Sequence, residues 1–270
     1  MQIIRPHGGW PSLELADLWR YRDLLYFLVR RDVRVRYANF AVAWLWAVLP
    51  TVSTVIIFHT LLSRWANVEP PGGRYVPFLL AGLVVWTYFA TALTRSVGSL
   101  EQNAHLIGKV YFPRLLIPLA TTLAALADLA VAAVVLLPPA FWWYGLPLRA
   151  DLLMLPMLIA IAAGIALGTG LALGAVNLRY REVRPGVPFL VQVWMFASPV
   201  VWPAEAVPEA LRPWLLLNPM TGVMLGARSA ILGLPWDRPA LAASVAWAAV
   251  LLIAGAYYFR RREHTFAEMG

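Results

Sequence analysis

Long apolar runs alternating with short basic clusters predict a chain of membrane-spanning helices. Runs near 40–62, 76–94, 115–137 and 152–176 are predominantly apolar, and each has about the 20 residues a helix needs to cross a hydrocarbon core roughly 30 Å thick. The run at 187–202 is barely long enough and gives way to Pro203, Pro208, Pro213 and Pro219; a final run covers 241–259. Pro50 removes a backbone donor inside the first run and predicts a kink there. The third run is expected to stop at Pro138-Pro139, and Pro70-Pro71-Gly72-Gly73 to turn the chain between the first two.

Residues 10–38 carry a different pattern. Leu15, Leu18, Trp19, Leu25 and Leu28 recur near helical spacing, with Asp17, Arg20, Arg22 and Asp23 between them; this predicts an amphipathic helix lying in the membrane interface. Arg30, Arg31, Arg34 and Arg36 follow, either meeting anionic headgroups or simply marking the inner side. No short apolar run with a small-residue cleavage site opens the chain, so the N-terminus is expected to be cytoplasmic.

The basic clusters Arg179, Arg181, Arg184 and Arg260, Arg261, Arg262 should also lie inside, so an even number of crossings must separate them. One crossing at 187–202 and one at 241–259 meet that condition. Residues 218–233 should then dip in from the outer side and return, with their backbone shielded by protein or a wet cavity. In this topology only Arg64, Arg74, Arg149, Arg212, Arg228 and Arg238 of the 22 Lys and Arg lie outside. The expected organisation is an interface segment 1–38, a six-span domain 39–260 that includes an inner helix at 99–113 and a re-entrant region at 203–234, and a cytoplasmic tail 261–270.

Composition agrees with the pattern. Apolar residues make up 61% of the chain, against about 45–50% in soluble domains, which excludes intrinsic disorder and a soluble enzyme core. The net charge of +8 reads as topology rather than a nucleic-acid surface. The absence of Cys excludes disulfides and thiolate metal sites, and the four His are too scattered to suggest a metal. The only Lys, Lys109, follows Gly108 but precedes Val110, where a phosphate loop needs Ser or Thr. No HExxH, GxSxG or Asp-rich pair is present. Transport is therefore the leading class, with no ATPase site expected in this chain.

The first inner loop, Glu101 to Arg114, holds an amphipathic helix candidate bounded by Pro113. Leu106, Ile107, Val110 and Phe112 suit a partner's groove, with Glu101, Asn103 and Lys109 at its rim; an interfacial helix against lipid explains the same pattern. Trp44, Trp46, Trp86, Tyr88, Phe89, Trp194, Phe196 and Trp202 fall in or beside spans one, two and five. They are either a smooth lining for a substrate path or interfacial anchors. Gly164, Gly168, Gly170 and Gly174 give two GxxxG spacings for close helix approach, within one subunit or across a dimer seam. His59 and Asp128 are ionisable residues inside spans, so a proton-coupled secondary transporter is the rival reading.

Four segments, 103–118 (NAHLIGKVYFPRLLIP), Asn177-Leu178-Arg179-Tyr180-Arg181-Glu182-Val183, 188–200 (PFLVQVWMFASPV) and Leu217-Asn218-Pro219-Met220, together resemble the membrane subunits of type-2 ABC exporters of lipid-linked polysaccharides: O-antigen, capsule and teichoic acid. The resemblance covers nearly the whole chain; Glu182 stands where that family more often has Asp. It implies a homodimeric channel driven by two copies of a separate ATPase that binds ATP and Mg²⁺, in a bacterial inner membrane, with both termini cytoplasmic. It further implies a coupling helix bearing Glu101, Asn103, His105, Leu106, Ile107, Lys109 and Phe112, and a cytoplasmic gate loop at Arg179, Tyr180, Arg181 and Glu182. Drug or lipid exporters of the same group share this plan.

Overall fold

A computed structural model describes residues 15–38, 40–67, 69–107 and 112–263 of the chain. The described residues are mostly helical and contain no strand. That is what hydrocarbon demands: a backbone with no water to bond must close its hydrogen bonds within each segment. Two short helices, α1 (Leu15–Arg20) and α2 (Arg22–Arg36), precede α3 (Phe40–Phe58), α4 (Tyr75–Gln102), α5 (Ala104–Ile107), α6 (Leu116–Ala124), α7 (Leu126–Tyr144), α8 (Leu155–Asn177), α9 (Val183–Ala197), α10 (Thr221–Leu232) and α11 (Arg238–Glu263). Among the described residues, five stretches are long and apolar enough to span a membrane: Val42–Trp65, Tyr75–Gln102, Leu116–Tyr144, Ala150–Asn177 and Arg238–Arg262.

The central helix is α4. In its most apolar stretch 78% of residues are buried, against 17% in α11, so the bundle is assembled around it. Helix α8 packs on both α4 and α11, and its glycines make this possible. A Cβ on Gly168, or on Gly255 of α11, would run into the facing backbone, and one on Gly170 would meet the Ser96 side chain of α4. The two GxxxG spacings thus serve packing within the subunit.

Three boundaries differ from the sequence reading. Helix α4 continues two turns beyond Thr94 because its polar end finds partners: the Asn103 backbone N–H caps the last carbonyls and its side-chain amide donates to Ser99 O. Helix α7 runs through Pro138 and Pro139 and stops only at Gly145, which adopts a left-handed φ of 58°. With apolar residues on both sides, leaving the helix at the prolines frees more backbone groups than they already cost. Helix α3 carries Pro50 without a break, and the irregularity falls later, where His59–Trp65 widens into a π-helix. The turn expected at Pro70–Gly73 is present, closed by the Gly73 N–H on Pro70 O.

The amphipathic lead-in becomes α1 and α2. Leu28 is buried, and Leu18, Leu25 and Val29 pack with it against Leu116, Ile117 and Phe112. Trp19 faces outward with Arg22 beside its ring.

Candidate functional site

The basic loops gather at one end of the bundle, where the C-terminal ends of α4 and α8 meet α2 and the start of α9. Arg31 of α2 donates to Asn103 Oδ1 at 2.7 Å, while Asn103 holds Ser99 O at 2.8 Å. Two residues earlier, Glu101 pairs with Arg184 at 3.2 Å, and the Arg184 backbone N–H donates to the buried Asn177 at 2.9 Å. The end of α4 is therefore fastened to α2 on one side and to the α8–α9 corner on the other. Helix α5 hangs from this knot as a four-residue turn.

Among the residues expected to couple to a partner, Glu101 and His105 are exposed and Leu106 is half-buried. Phe112 is buried in the chain's own core, and Asn103 is likewise buried, bonded to α2 and α4. Neither offers its side chain to another protein in this conformation. Lys109, with the rest of 108–111, lies outside the described residues, and the Ile107 side chain is not described. Arg179, Tyr180, Arg181 and Glu182 form an exposed loop, with Arg179 over the Tyr180 ring.

Asp128 sits at the base of a second polar cluster. Its side chain is 6% exposed, and its Oδ1 accepts from Tyr37 at 2.7 Å and Arg36 at 2.6 Å, while Oδ2 pairs with Arg95 at 3.0 Å. Burial pushes the Tyr37 hydroxyl up to about 12, and its bond to Asp128 acts in the same direction. The phenol therefore keeps its proton at physiological pH and remains a fixed donor. His59 is not brought near this cluster. It packs beside Tyr75 at the other end of α3, whose 19 residues put roughly 28 Å between the two at 1.5 Å per residue.

The aromatic set divides. Trp86, Tyr88 and Phe89 are buried in the core, with Trp86 and Trp194 packed on either side of Phe89 at 5.1 and 5.0 Å. Trp44, Trp46 and Phe196 are exposed. Trp194 and Trp202 are half-buried, each with its indole N–H bonded, to Asn218 Oδ1 and Phe196 O respectively.

The 183–203 segment is the least regular part of the bundle and shows which residues sequence reasoning missed. Helix α9 has 15 residues, only about 22 Å, yet Arg184 meets Glu101 at one end of α4 and Val201 O accepts from Tyr75 Oη, 2.8 Å away, at the other. The chain covers the difference with a non-helical tail of turns after Ala197. Such backbone needs partners away from water, and side chains supply them. Arg228 donates to Val200 O at 2.6 Å, Tyr75 to Val201 O, and Asn218 to Ala197 O at 3.0 Å and to Ser198 Oγ at 2.8 Å. Arg228, expected among the outer charges, is in fact 1% exposed. Glu209–Leu217, a 3₁₀ stretch, and α10 are bent by 104° across Asn218, whose Oδ1 also receives the Met220 N–H. Beyond the bend, α10 packs along the first turns of α4, α8 and α11, meeting Gly82, Leu158, Ala240 and Ser244.

Apolar helices assembled around a buried central span, with a fastened basic end and no metal-binding cluster among the described residues, define a multi-pass membrane protein. The chain matches the ABC-2 type transporter family over residues 23–232 and belongs to it. It is 25% identical to an O-antigen export system permease protein RfbA of Klebsiella pneumoniae, over 92% of this chain and 95% of that one. It is 27% identical to the protein of the same name from Myxococcus xanthus, over 94% and 98%. A polysialic acid transport protein KpsM of Escherichia coli is 27% identical over 87% and 92%.

Proposed function

We propose that the chain is the membrane subunit of an ATP-driven exporter that moves a lipid-linked polysaccharide from the cytoplasmic to the outer side of a bacterial inner membrane. Two copies form the conduit, and two copies of a separate ATPase bind ATP and Mg²⁺ and drive it. The basic end, with both termini, is cytoplasmic. Six crossings are made by α3, α4, α6 with α7, α8, the 183–203 segment and α11, while α10 enters and leaves from the outer side.

The observation that carries this reading is the knot at the basic end. A push on α5 reaches α4 through Asn103, α2 through Arg31 and the α8–α9 corner through Glu101 and Arg184. One contact with an ATPase therefore moves three parts of the bundle together. Leu106 faces the ATPase with Glu101 and His105 at the rim, and Asn103 and Phe112 anchor them from behind; Ile107, for the groove, and Lys109, for the rim, join this contact on the strength of the sequence pattern alone. Arg179, Tyr180, Arg181 and Glu182 gate the cytoplasmic mouth. Exposed Trp44, Trp46 and Phe196 border the glycan path, backed by Trp86, Tyr88, Phe89, Trp194 and Trp202. Asp128 is held by two arginines and a tyrosine far from His59, which favours a structural role over a proton relay. The export of polysaccharide by relatives that align along nearly their whole length supports the substrate class.

Copurification from native membranes tests the proposal. The expected result is a 2:2 complex with a phosphate-loop ATPase and a bound glycolipid. A chain that purifies with neither, from cells making surface polysaccharide, contradicts it.

A further inference from the structure

At the end of the bundle away from the basic loops, a cavity of about 340 Å³ lies between the start of α4, α10, the start of α11 and the 204–216 stretch. That volume suits a small ligand. Arg228 lines it as its one buried charge. The guanidinium lies over the Phe78 ring with Cζ 3.6 Å from the centroid; Nη2 donates to Val200 O and Nε reaches Phe78 O at 3.4 Å. Nη1 is buried and has no acceptor among the described residues. Leaving a charged donor unmet is costly, so the cavity favours an occupant that accepts a hydrogen bond from it.

The rest of the lining narrows the chemistry. Glu205 and Asp237 offset Arg228 and Arg212, so the site has no net charge. The Glu205 carboxylate has no ion-pair or hydrogen-bond partner among the described residues, and Arg212 binds the Glu205 backbone carbonyl instead. Asp237 uses one oxygen to cap α11 at the Ala240 N–H. Leu215, Leu216 and Leu225 supply apolar walls. A free anion meets two carboxylates here, and an apolar molecule leaves Nη1 unmet. A hydroxyl both donates and accepts, and a pyranose offers several hydroxyls around apolar C–H faces. We propose that this cavity holds one sugar residue of the exported glycan on the outer side, with Arg228 donating to it and Glu205 accepting from it. The proposal rests on the export reading above.

The test uses the full chain in nanodiscs and saturation-transfer NMR with millimolar glucose, galactose, mannose, rhamnose and N-acetylglucosamine, and with inorganic phosphate as competitor. Glu205→Ala removes the acceptor and Leu225→Trp fills the space; neither alters the bonds from Arg228 to Val200 and Phe78. The expected result is saturable binding of at least one sugar, weakened about tenfold or more in both variants and unaffected by phosphate. Absence of sugar binding, equal binding in wild type and variants, or displacement by phosphate overturns the proposal. If one of these occurs while deletion of the gene still abolishes surface polysaccharide, only the sugar site fails. If deletion leaves surface polysaccharide unchanged, the export reading fails and the sugar site with it.

Discussion

Asp128→Leu should unfasten α2 and α4 from α7. The carboxylate is nearly fully buried and serves Tyr37, Arg36 and Arg95. Its loss removes the carboxylate that the Tyr37 hydroxyl and the Arg95 guanidinium, 24% exposed, both face. Breaking a buried pair by removing one member costs about 3–5 kcal/mol. Arg36 is 38% exposed, so water recovers much of its share, and the lower end of that range applies. Asp128→Asn keeps an acceptor for Tyr37 or one arginine and should cost about 1–2 kcal/mol. Adding Arg95→Met to Asp128→Leu removes the stranded charge and should recover part of the loss.

Melting of the purified complex, followed by size-exclusion with intrinsic fluorescence, should rank wild type above Asp128→Asn, the double variant next and Asp128→Leu last. Export per folded complex should survive Asp128→Asn and be insensitive to a protonophore at constant ATP. Normal melting of Asp128→Asn together with lost export would refute the structural role and restore a proton relay. The Tyr37 donor should also be indifferent to pH near neutrality. The Tyr37 pKa rises from 10.0 to about 12 in the fold, so its contribution is complete below pH 10, fades between 10 and 12, and is lost above.

Other substitutions separate neighbouring roles. Leu106→Asp should release the ATPase from a folded chain, as copurification reads, whereas Phe112→Asp buries a carboxylate in the core and should abolish folded protein altogether. Gly168→Leu should disrupt the α8–α11 crossing, while Gly164→Ala, whose Cβ would stand 3.5 Å from that of Ala248, should leave expression and oligomeric state unchanged. Trp194→Phe keeps the packing on Phe89 but loses the bond to Asn218, costing about 1 kcal/mol in melting assays; Asn218→Ala loses four bonds at the bend and should cost several times more. Trp46→Ala should lower polymer export modestly without changing complex yield, and Trp46→Ala with Phe196→Ala should lower it further; unchanged export per complex in the pair would make these rings lipid anchors.

Legibility in the sequence followed the range of the interactions. Apolar runs, the Pro70–Gly73 turn and the amphipathic lead-in are local signals, and they appear as helices, a turn and α2. The full length of α4 was hidden because Ser99 and Asn103 read as the start of a separate inner helix until Arg31, 72 residues away, takes up the Asn103 side chain. Arg228 reads as a topology charge from its neighbours alone; only the non-helical tail at Val200 explains why a guanidinium is buried there. The same holds for Asp128, whose arginine and tyrosine partners come from α2 and α4. The aromatic residues were visible by type, but burial, which separates Trp86, Tyr88 and Phe89 from Trp46 and Phe196, depends on which face of each helix meets α4. The short α9 carried the clearest warning, since an apolar run barely long enough to cross, followed by prolines, points to non-helical backbone and hence to buried donors that satisfy it.

Reconstitution decides the central claim most directly. The purified chain is placed in proteoliposomes alone, with its ATPase, and with the ATPase plus a lipid-linked glycan, and both ATP hydrolysis and delivery of glycan to the opposite leaflet are followed. The account predicts no hydrolysis by the chain alone, and delivery only when ATPase, ATP and Mg²⁺ are all present. Hydrolysis by the chain alone, or delivery driven by a proton gradient without ATP, would contradict it.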